Sequence, residues 1–227
     1  MTRPYTEKLK GMMAIDIETV SQGKVAKDFT DKAYYSPGNA KTEEAIKRVT
    51  DKKREEAAHK HGLKWWTGKI ISVAVERCDM PEYRQCFYGH NETDVLRQLA
   101  ASLDKARTTI GMYSKNFDFP FMVGRYMAND LPIPDVLMDR YSQFDTDDMF
   151  GYSSASGQRG KLSEYSHGLN LSDKPMGGGD VQKLYDDIMA AAIDKDGQTE
   201  SELWAKLVNY NQVDTNIVAE MARKYWR

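Results

Sequence analysis

Met12-Met13-Ala14-Ile15-Asp16-Ile17-Glu18 decides how this chain is read, because an apolar run delivers two carboxylates at alternate positions. In extended backbone, alternate side chains point the same way. Asp16 and Glu18 therefore face one direction at the end of a strand expected over Gly11 to Asp16, while Ile17 packs the other. Such a pair can grip divalent cations at a sheet edge. Asp-x-Glu also arises by chance, as two solvated acids closing a strand, so its meaning depends on what accompanies it.

Two later segments accompany it. Tyr113-Ser-Lys-Asn-Phe-Asp118-Phe-Pro-Phe-Met122 follows the short apolar stretch Thr109 to Tyr113 and opens into a helical pattern ending near Ala128. Asp118 thus stands where a strand turns into a helix. Tyr210-Asn-Gln-Val-Asp214 lies inside a pattern from Leu203 to Trp226 whose apolar positions recur at helical intervals. Residues four apart share a helix face, so the Tyr210 phenol and the Asp214 carboxylate can reach one site.

Together these segments supply Asp16, Glu18, Asp118 and Asp214 in the order strand end, strand-to-helix junction and late helix, with Tyr210 one turn before the last acid. The arrangement resembles the three motifs of the DEDD superfamily of 3′-to-5′ exonucleases, in the branch with tyrosine in the third motif. It is most similar to stand-alone exonucleases related to the exonuclease domain of B-family DNA polymerases. Trp66-Thr-Gly-Lys-Ile-Ile-Ser-Val-Ala-Val75 resembles the family's second strand and its lead-in. Phe117-Asp-Phe-Pro-Phe121 resembles its Phe-Asp-Leu-Pro segment, and Leu162-Ser-Glu-Tyr-Ser-His-Gly-Leu169 with Lys174 resembles the stretch before its last helices. None of His59, His61, His90 or His167 stands in a His-x4-Asp pattern, so the histidine branch does not apply. One departure is that the family often carries an asparagine four or five residues before the second-motif Asp, where this chain has Ser114 and Tyr113.

The resemblance implies a ribonuclease-H-like α/β fold, a mixed five-stranded sheet flanked by helices. It also implies a two-metal exonuclease with Asp16, Glu18, Asp118, Tyr210 and Asp214 as catalytic residues and the four acids as metal ligands. In the family reading, Asp16 bridges both ions, Glu18 and Asp214 complete the two shells, and Asp118 holds the second ion largely through water. Tyr210 orients the attacking water. Thr19, Asn116, Phe117, Trp66 and Lys69 are candidate strand contacts.

The chemistry accounts for these residue types. Phosphodiester cleavage requires an activated water, a stabilised pentacoordinate phosphorus and a stabilised leaving oxygen, and two divalent ions roughly 3.5 to 4 Å apart supply all three. Clustered carboxylates repel one another and raise each other's pKa, a penalty that cations remove. Hard oxygen ligands favour Mg²⁺ or Mn²⁺. A phenol with a reference pKa of about 10 is a poor base at neutral pH, so Tyr210 is expected to orient water and not to deprotonate it.

Composition agrees. The 227 residues are 41% hydrophobic and 29% charged, ordinary for a globular protein, and are expected to form one exonuclease domain over 1–227 with no polymerase domain beside it. No run approaches the roughly 20 apolar residues of a membrane span, and the N-terminus lacks the apolar core of a signal peptide. A cytoplasmic location away from membranes is therefore expected. The net charge of −2 is unlike that of a protein coating duplex DNA. An exonuclease need hold only a strand end, so the expected partner is a single-stranded DNA 3′ end, with a separate polymerase or replication complex as a further candidate. Two rival readings are an RNA or oligoribonucleotide exonuclease and a non-catalytic nucleic-acid-binding module.

Strands are expected over Gly11 to Asp16, Ile70 to Glu76, Tyr83 to Tyr88 and Thr109 to Tyr113, the second and third joined across Cys78 to Glu82. Helices are expected over Asn91 to Leu103 and Phe117 to Ala128, the first with a capping Asn91. Residues 21–64 form a polar insertion, read as a solvated helix laced with ion pairs or, alternatively, as a flap over the single strand. Trp65 and Trp66 are expected in the core, with base stacking as the alternative. Cys78 and Cys86 read as reduced core thiols on neighbouring strands. His59 and His61 are expected at the surface. Asp145-Thr-Asp147-Asp148 is expected to end a strand or cap a helix, and Gly177 to Gly179 to form a flexible connection.

Overall fold

Both faces of the first strand are apolar, and that places it inside the sheet. Met13, Ile15 and Ile17 turn to one side and pack with Leu96, Leu99, Phe119 and Met122. Met12 and Ala14 turn to the other and pack with Ile217, Val218 and Ala222. A strand covered on both faces needs neighbours on both edges and helices above and below.

The computed structural model describes residues 6–32, 34–150, 160–174 and 180–226. Its strands are β1 (Met12–Ser21), β2 (Gly68–Arg77), β3 (Met80–Tyr88), β4 (Thr108–Gly111) and β5 (Gln143–Asp145). They lie in the order β3-β2-β1-β4-β5. The β1–β2 and β2–β3 pairs are antiparallel, and the β1–β4 and β4–β5 pairs are parallel. The helices are α1 (Thr6–Leu9), α2 (Lys24–Lys32), α3 (Glu43–Lys60), α4 (Glu92–Leu103), α5 (Asp118–Ala128), α6 (Asp135–Met138), α7 (Thr146–Phe150), α8 (Leu162–Leu169), α9 (Val181–Ile193) and α10 (Gly197–Tyr225). Helices α4 and α5 cover one face of the sheet, while α9 and α10 cover the other. This is the mixed α/β sheet flanked by helices that a ribonuclease-H-like fold requires. No helix among the described residues is long and apolar enough to cross a membrane.

Several boundaries differ from expectation. Strand β1 continues five residues past Asp16, because its pairing with β2 resumes after an irregularity at Glu18/Thr19 and runs on to Ser21 opposite Gly68. The two acids therefore lie within the strand and not at its end. The β2–β3 turn is confined to Cys78 and Asp79, closed by an Arg77–Asp79 ion pair at 2.7 Å. Cys78 is consequently a buried turn residue and only Cys86 is on a strand. Strand β4 stops at Gly111, since Tyr113 has φ +59° and cannot continue extended backbone. A Cβ on Gly111 would lie 2.6 Å from Ser114 Cβ, so the chain folds back there over a bare glycine. Helix α10 begins at Gly197, six residues before Leu203, because the Asp196 carboxylate accepts the Thr199 N–H at 3.1 Å and caps it.

The polar insertion forms two helices, α2 and α3, with surface ion pairs at Asp51–Arg54 and Lys52–Glu56. Trp65 and Trp66 are not in the core: they are 38% and 47% exposed and meet edge to face at 5.6 Å. Trp65 lies against Gly124 of α5, where a helix backbone already covers the apolar interior and leaves one side of the indole outside. His61 is buried, with its ring nitrogen 3.1 Å from Thr67 Oγ1, contrary to the surface position expected. The side chain of His59 and residues Gly177 to Gly179 lie outside the described residues.

One polar knot locks α4, α5 and β2 together. Glu92 accepts the Ile70 N–H at 2.6 Å and two bonds from Arg125 at 2.9 and 2.5 Å, while Arg125 also donates to the Trp65 carbonyl at 2.8 Å. Both side chains are less than a tenth exposed. Removing one partner strands the other charge in the interior. Arg125→Ala is expected to lower unfolding free energy by roughly 3–5 kcal/mol in urea titrations; a loss no larger than the ~1 kcal/mol of a surface pair would refute that role.

Candidate metal centre

Asp16 and Glu18 continue the β1 face on which Met12 and Ala14 pack under α10. Carboxylates thus occupy positions where the pattern would otherwise put apolar side chains. Opposite them, one turn of α10 presents Tyr210, Asn211 and Asp214, which are 2%, 0% and 4% exposed. Carboxylate oxygens of Asp16, Glu18 and Asp214 lie within 4.8 Å of one another. Glu18 and Asp214 are buried and Asp16 is partly open to solvent.

Asp118 reaches the group from the strand edge. Strand β4 pairs with β1 only as far as Ala14 opposite Ile110, which leaves the β1 backbone beyond it without a strand neighbour on that side. The Asp118 carboxylate fills the gap by accepting the Ile17 N–H at 3.3 Å. It is the first residue of α5, where the helix dipole favours an anion. The loop that delivers it is held by Asp145, whose carboxylate accepts the N–H groups of Tyr113 at 2.9 Å and Lys115 at 3.0 Å. Asp148 accepts from Lys115 Nζ at 2.7 Å. Asp145 thus ends β5, as the pattern suggested, and Asp145 and Asp148 also anchor this loop, a role the pattern did not show.

Two residues enter the site that were not among the candidate site residues read from the sequence. Asn211 donates from Nδ2 to Asp16 Oδ2 at 2.7 Å and accepts from Ser72 Oγ at 2.7 Å, which fixes the Asp16 carboxylate from behind. Lys174 donates its ammonium to Asp214 Oδ2 and lies 4.8 Å over the Tyr210 ring. The signal for Asn211 was an amide directly after Tyr210 on the helix turn that also carries Asp214. Lys174 gave none beyond its place in the family pattern, because a single lysine in a polar stretch has no periodicity to mark it.

The electrostatics are those of anions held together. Burial, then the charges of Asp118 and Asp214, raise Asp16 well above the usual carboxylate range, with Lys174 and Asn211 opposing. Glu18 is raised by burial and then by Asp16 and Asp214. Burial lifts Asp118 to about 7 despite the bond from Ile17. Asp214 is raised by burial, against the pull of Lys174. The Tyr210 phenol is raised by burial and by the carboxylates of Glu18, Asp214 and Asp16, so it stays protonated.

A divalent cation fits this donor set. Every candidate ligand is a carboxylate oxygen, the hard donor that Mg²⁺ and Mn²⁺ prefer. The buried Oδ1 of Asp214 has no hydrogen-bond partner among the described residues, a cost that a bound cation would remove.

The candidate strand contacts are more dispersed. Thr19 is half-buried at the β1 irregularity, and Phe117 is half-buried beside Phe121 at 5.5 Å. Asn116 is exposed in the loop before α5. Trp66 precedes β2, and Lys69 Nζ donates to Tyr185 Oη at 2.8 Å. None of the five makes a hydrogen bond or ion pair to the acids among the described residues. Cys86 is half-buried beside Ser72 at 3.3 Å, and burial raises its thiol to about 11 and that of Cys78 to about 12, so both are poor nucleophiles.

No family model matches the chain, and no curated protein matches it in sequence. Among solved structures it is similar to the family B DNA polymerase from the hyperthermophilic archaeon Pyrobaculum calidifontis, at 14% identity and a TM-score of 0.48. The match covers 92% of this chain and 24% of that one, so the chain spans about a quarter of the polymerase's length.

The raised carboxyl values set a pH dependence. A group that binds protons more tightly when folded stabilises the fold at low pH, and that contribution is lost as pH rises from its unfolded value toward its folded one. For Asp118 the window runs from about 4 to about 7. The metal-free protein should therefore lose melting temperature across this window, and Mg²⁺ or Mn²⁺ should raise Tm more at pH 8 than at pH 5. Asp214→Asn should raise the metal-free Tm at pH 8 and shrink the metal-dependent gain. Calorimetric scans showing equal metal-dependent gains at both pH values would count against a cation at these acids.

Proposed function

We propose that this chain is a divalent-metal-dependent 3′-to-5′ exonuclease that releases nucleoside 5′-monophosphates from single-stranded DNA ends. The observation that carries the reading is the meeting of Asp16, Glu18 and Asp214 oxygens within 4.8 Å, beside Asp118 and Tyr210, on the central strand of a ribonuclease-H-like sheet. These are the acids and the tyrosine of the three exonuclease motifs, brought together by chain segments about a hundred residues apart.

Asp16, Glu18 and Asp214 would hold the ions, with Asp118 beside them. Two bound divalent ions supply an activated water and neutralise charge at the phosphate and the leaving oxygen. The protein's own groups do the positioning. Tyr210, protonated in its buried setting, offers a hydroxyl that orients the attacking water by hydrogen bonding and leaves the water's proton in place. Asn211 holds the Asp16 carboxylate in one orientation, and Ser72 holds Asn211. The Lys174 ammonium offsets part of the carboxylate charge that an incoming phosphate would otherwise meet. Proofreading or trimming for a separate polymerase is the role such an activity would fit.

The test is digestion of 5′-labelled single-stranded DNA in Mg²⁺, in Mn²⁺ and in chelator, beside matched RNA. A metal-dependent ladder shortening from the 3′ end is expected. Asp16→Ala should reduce it to background, while Tyr210→Phe should slow it by about 10²-fold, the low end for groups that handle or orient a transferring proton. Degradation of RNA alone would move the substrate assignment to RNA, and no degradation of either would overturn the nuclease reading.

A further inference from the structure

The α2–α3 insertion encloses a cleft that the metal centre does not use. The cleft has a volume of about 730 Å³ and opens beside Ser21, the last residue of β1. That volume is in the range of sites for nucleotide-sized ligands, roughly 300–1,000 Å³. Ala26 and Thr30 of α2 form its floor and are 3% and 5% exposed. Its walls carry Lys27, Arg48, Lys52 and Arg54 against only Asp31 and Asp51.

The cations are unevenly committed. Arg54 is paired with Asp51 at 3.0 Å, and Lys52 makes a long, exposed contact to Glu56 at 3.9 Å. Lys27 and Arg48 have no ion-pair partner among the described residues. Exposed pairs of this kind contribute little and are readily exchanged for another anion. The cleft is thus an excess of available positive charge in a chain whose formal net charge is −2.

Its place gives the charge a use. Ser21 lies three positions beyond Glu18 on β1, roughly 10 Å of strand. A polynucleotide whose last linkage lies at the acids can therefore lay its preceding phosphates along this cleft. The acids repel phosphate except where cations neutralise them, and the protein as a whole attracts no polyanion, so affinity for the strand must come from a local cluster of cations. The wall residues meet that need without entering the reacting site.

We propose that the α2–α3 cleft binds the sugar–phosphate backbone of the single strand upstream of its 3′ end, with Lys27, Arg48 and Lys52 on the phosphates. This rests on the exonuclease reading for which linkage is cut, though the affinity of the cleft can be measured apart from cutting. The binding probe is a fluorescent oligothymidylate of about 12 nucleotides, within the range of single-strand site sizes. Its 3′-terminal linkages are phosphorothioates, and binding is followed by anisotropy in Mg²⁺ and in chelator across a salt series.

The variant Lys27→Gln/Arg48→Gln/Lys52→Gln should bind at least about 10-fold more weakly near ~50 mM salt. Its slope of log K against log salt should be shallower by about 2, since each phosphate contact on a single strand contributes about 0.7. Arg48→Glu alone should weaken binding in the same direction, which guards against misfolding of the triple variant. Unchanged affinity and slope in both variants would overturn the proposal. In turnover, the triple variant should lose kcat/KM on the unmodified oligomer and keep it on a dinucleotide too short to reach the cleft; equal loss on both would also overturn it. If the unaltered protein cuts neither substrate, the exonuclease reading fails, and the anisotropy series still decides the cleft.

Discussion

The seam between β1 and α10 is the constraint on which the rest of this structure depends. Along it, Met12 and Ala14 meet Ile217, Val218 and Ala222, and the same seam then carries Asp16 and Glu18 against Asn211 and Asp214. Like charges at the centre of a sheet oppose folding, so the seam must be held by the apolar contacts on either side of it. One such set surrounds Met12 and Ala14, and another gathers Val20 and Ile71 with Leu207, Tyr210 and Ile188. The acids lie between two dry clusters that fix the distance between strand and helix. Their separation is set by packing and not by their own electrostatics.

That arrangement explains why so many polar groups near the seam are paired with care. Glu76, fully buried on β2, accepts from Arg84 at 2.7 Å and Arg223 at 2.9 Å, and Arg84 also donates to Asn216 at 2.7 Å. This network ties β3 and the end of α10 to the same strand that Ser72 and Asn211 tie to the acids. A buried ion network of this type is weak as a source of net stability, since desolvation offsets much of the attraction. Its directional bonds do fix the rotation of α10 about its axis. A small rotation of that helix would carry Asp214 away from Asp16 while leaving most of the apolar contacts intact.

Much of this was legible in the sequence because it depends on local periodicity. The alternation in Met12 to Glu18 gives the strand and the common face of its acids, and Tyr210 to Asp214 gives the shared helix face. Asn91 gives the cap of α4, whose side chain accepts the Thr93 N–H at 3.1 Å. The extent of β1 was not legible, since Val20 is the one apolar residue between Thr19 and the polar stretch from Ser21, and the strand character of these residues comes from pairing with β2, a partner about fifty residues away. Asn211 and Lys174 escaped for a related reason: their roles are contacts across the fold, to Asp16 and Asp214. The tryptophans were misplaced because average burial was applied to a position where Gly124 admits one indole against the outside of α5.

The distribution of charge then becomes intelligible as a division of labour. A formal net charge near zero hides a strongly anionic seam and a cationic cleft that begins three residues further along the same strand. Were the cations of α2 and α3 placed beside the acids, they would pair with them as Lys174 does with Asp214 and compete with divalent ions for the same oxygens. Separation along β1, by roughly 10 Å and about one Debye length at ~0.1 M salt, lets each patch keep its own counterion. On this argument the insertion is held away from the acids by the strand itself: β1 must run past Glu18 to Ser21 before the chain can turn at Gly23, whose φ of +48° lies in the left-handed region, into α2. The same continuation that moved Asp16 and Glu18 from the end of the strand to its interior is what places a basic surface at a useful distance from them.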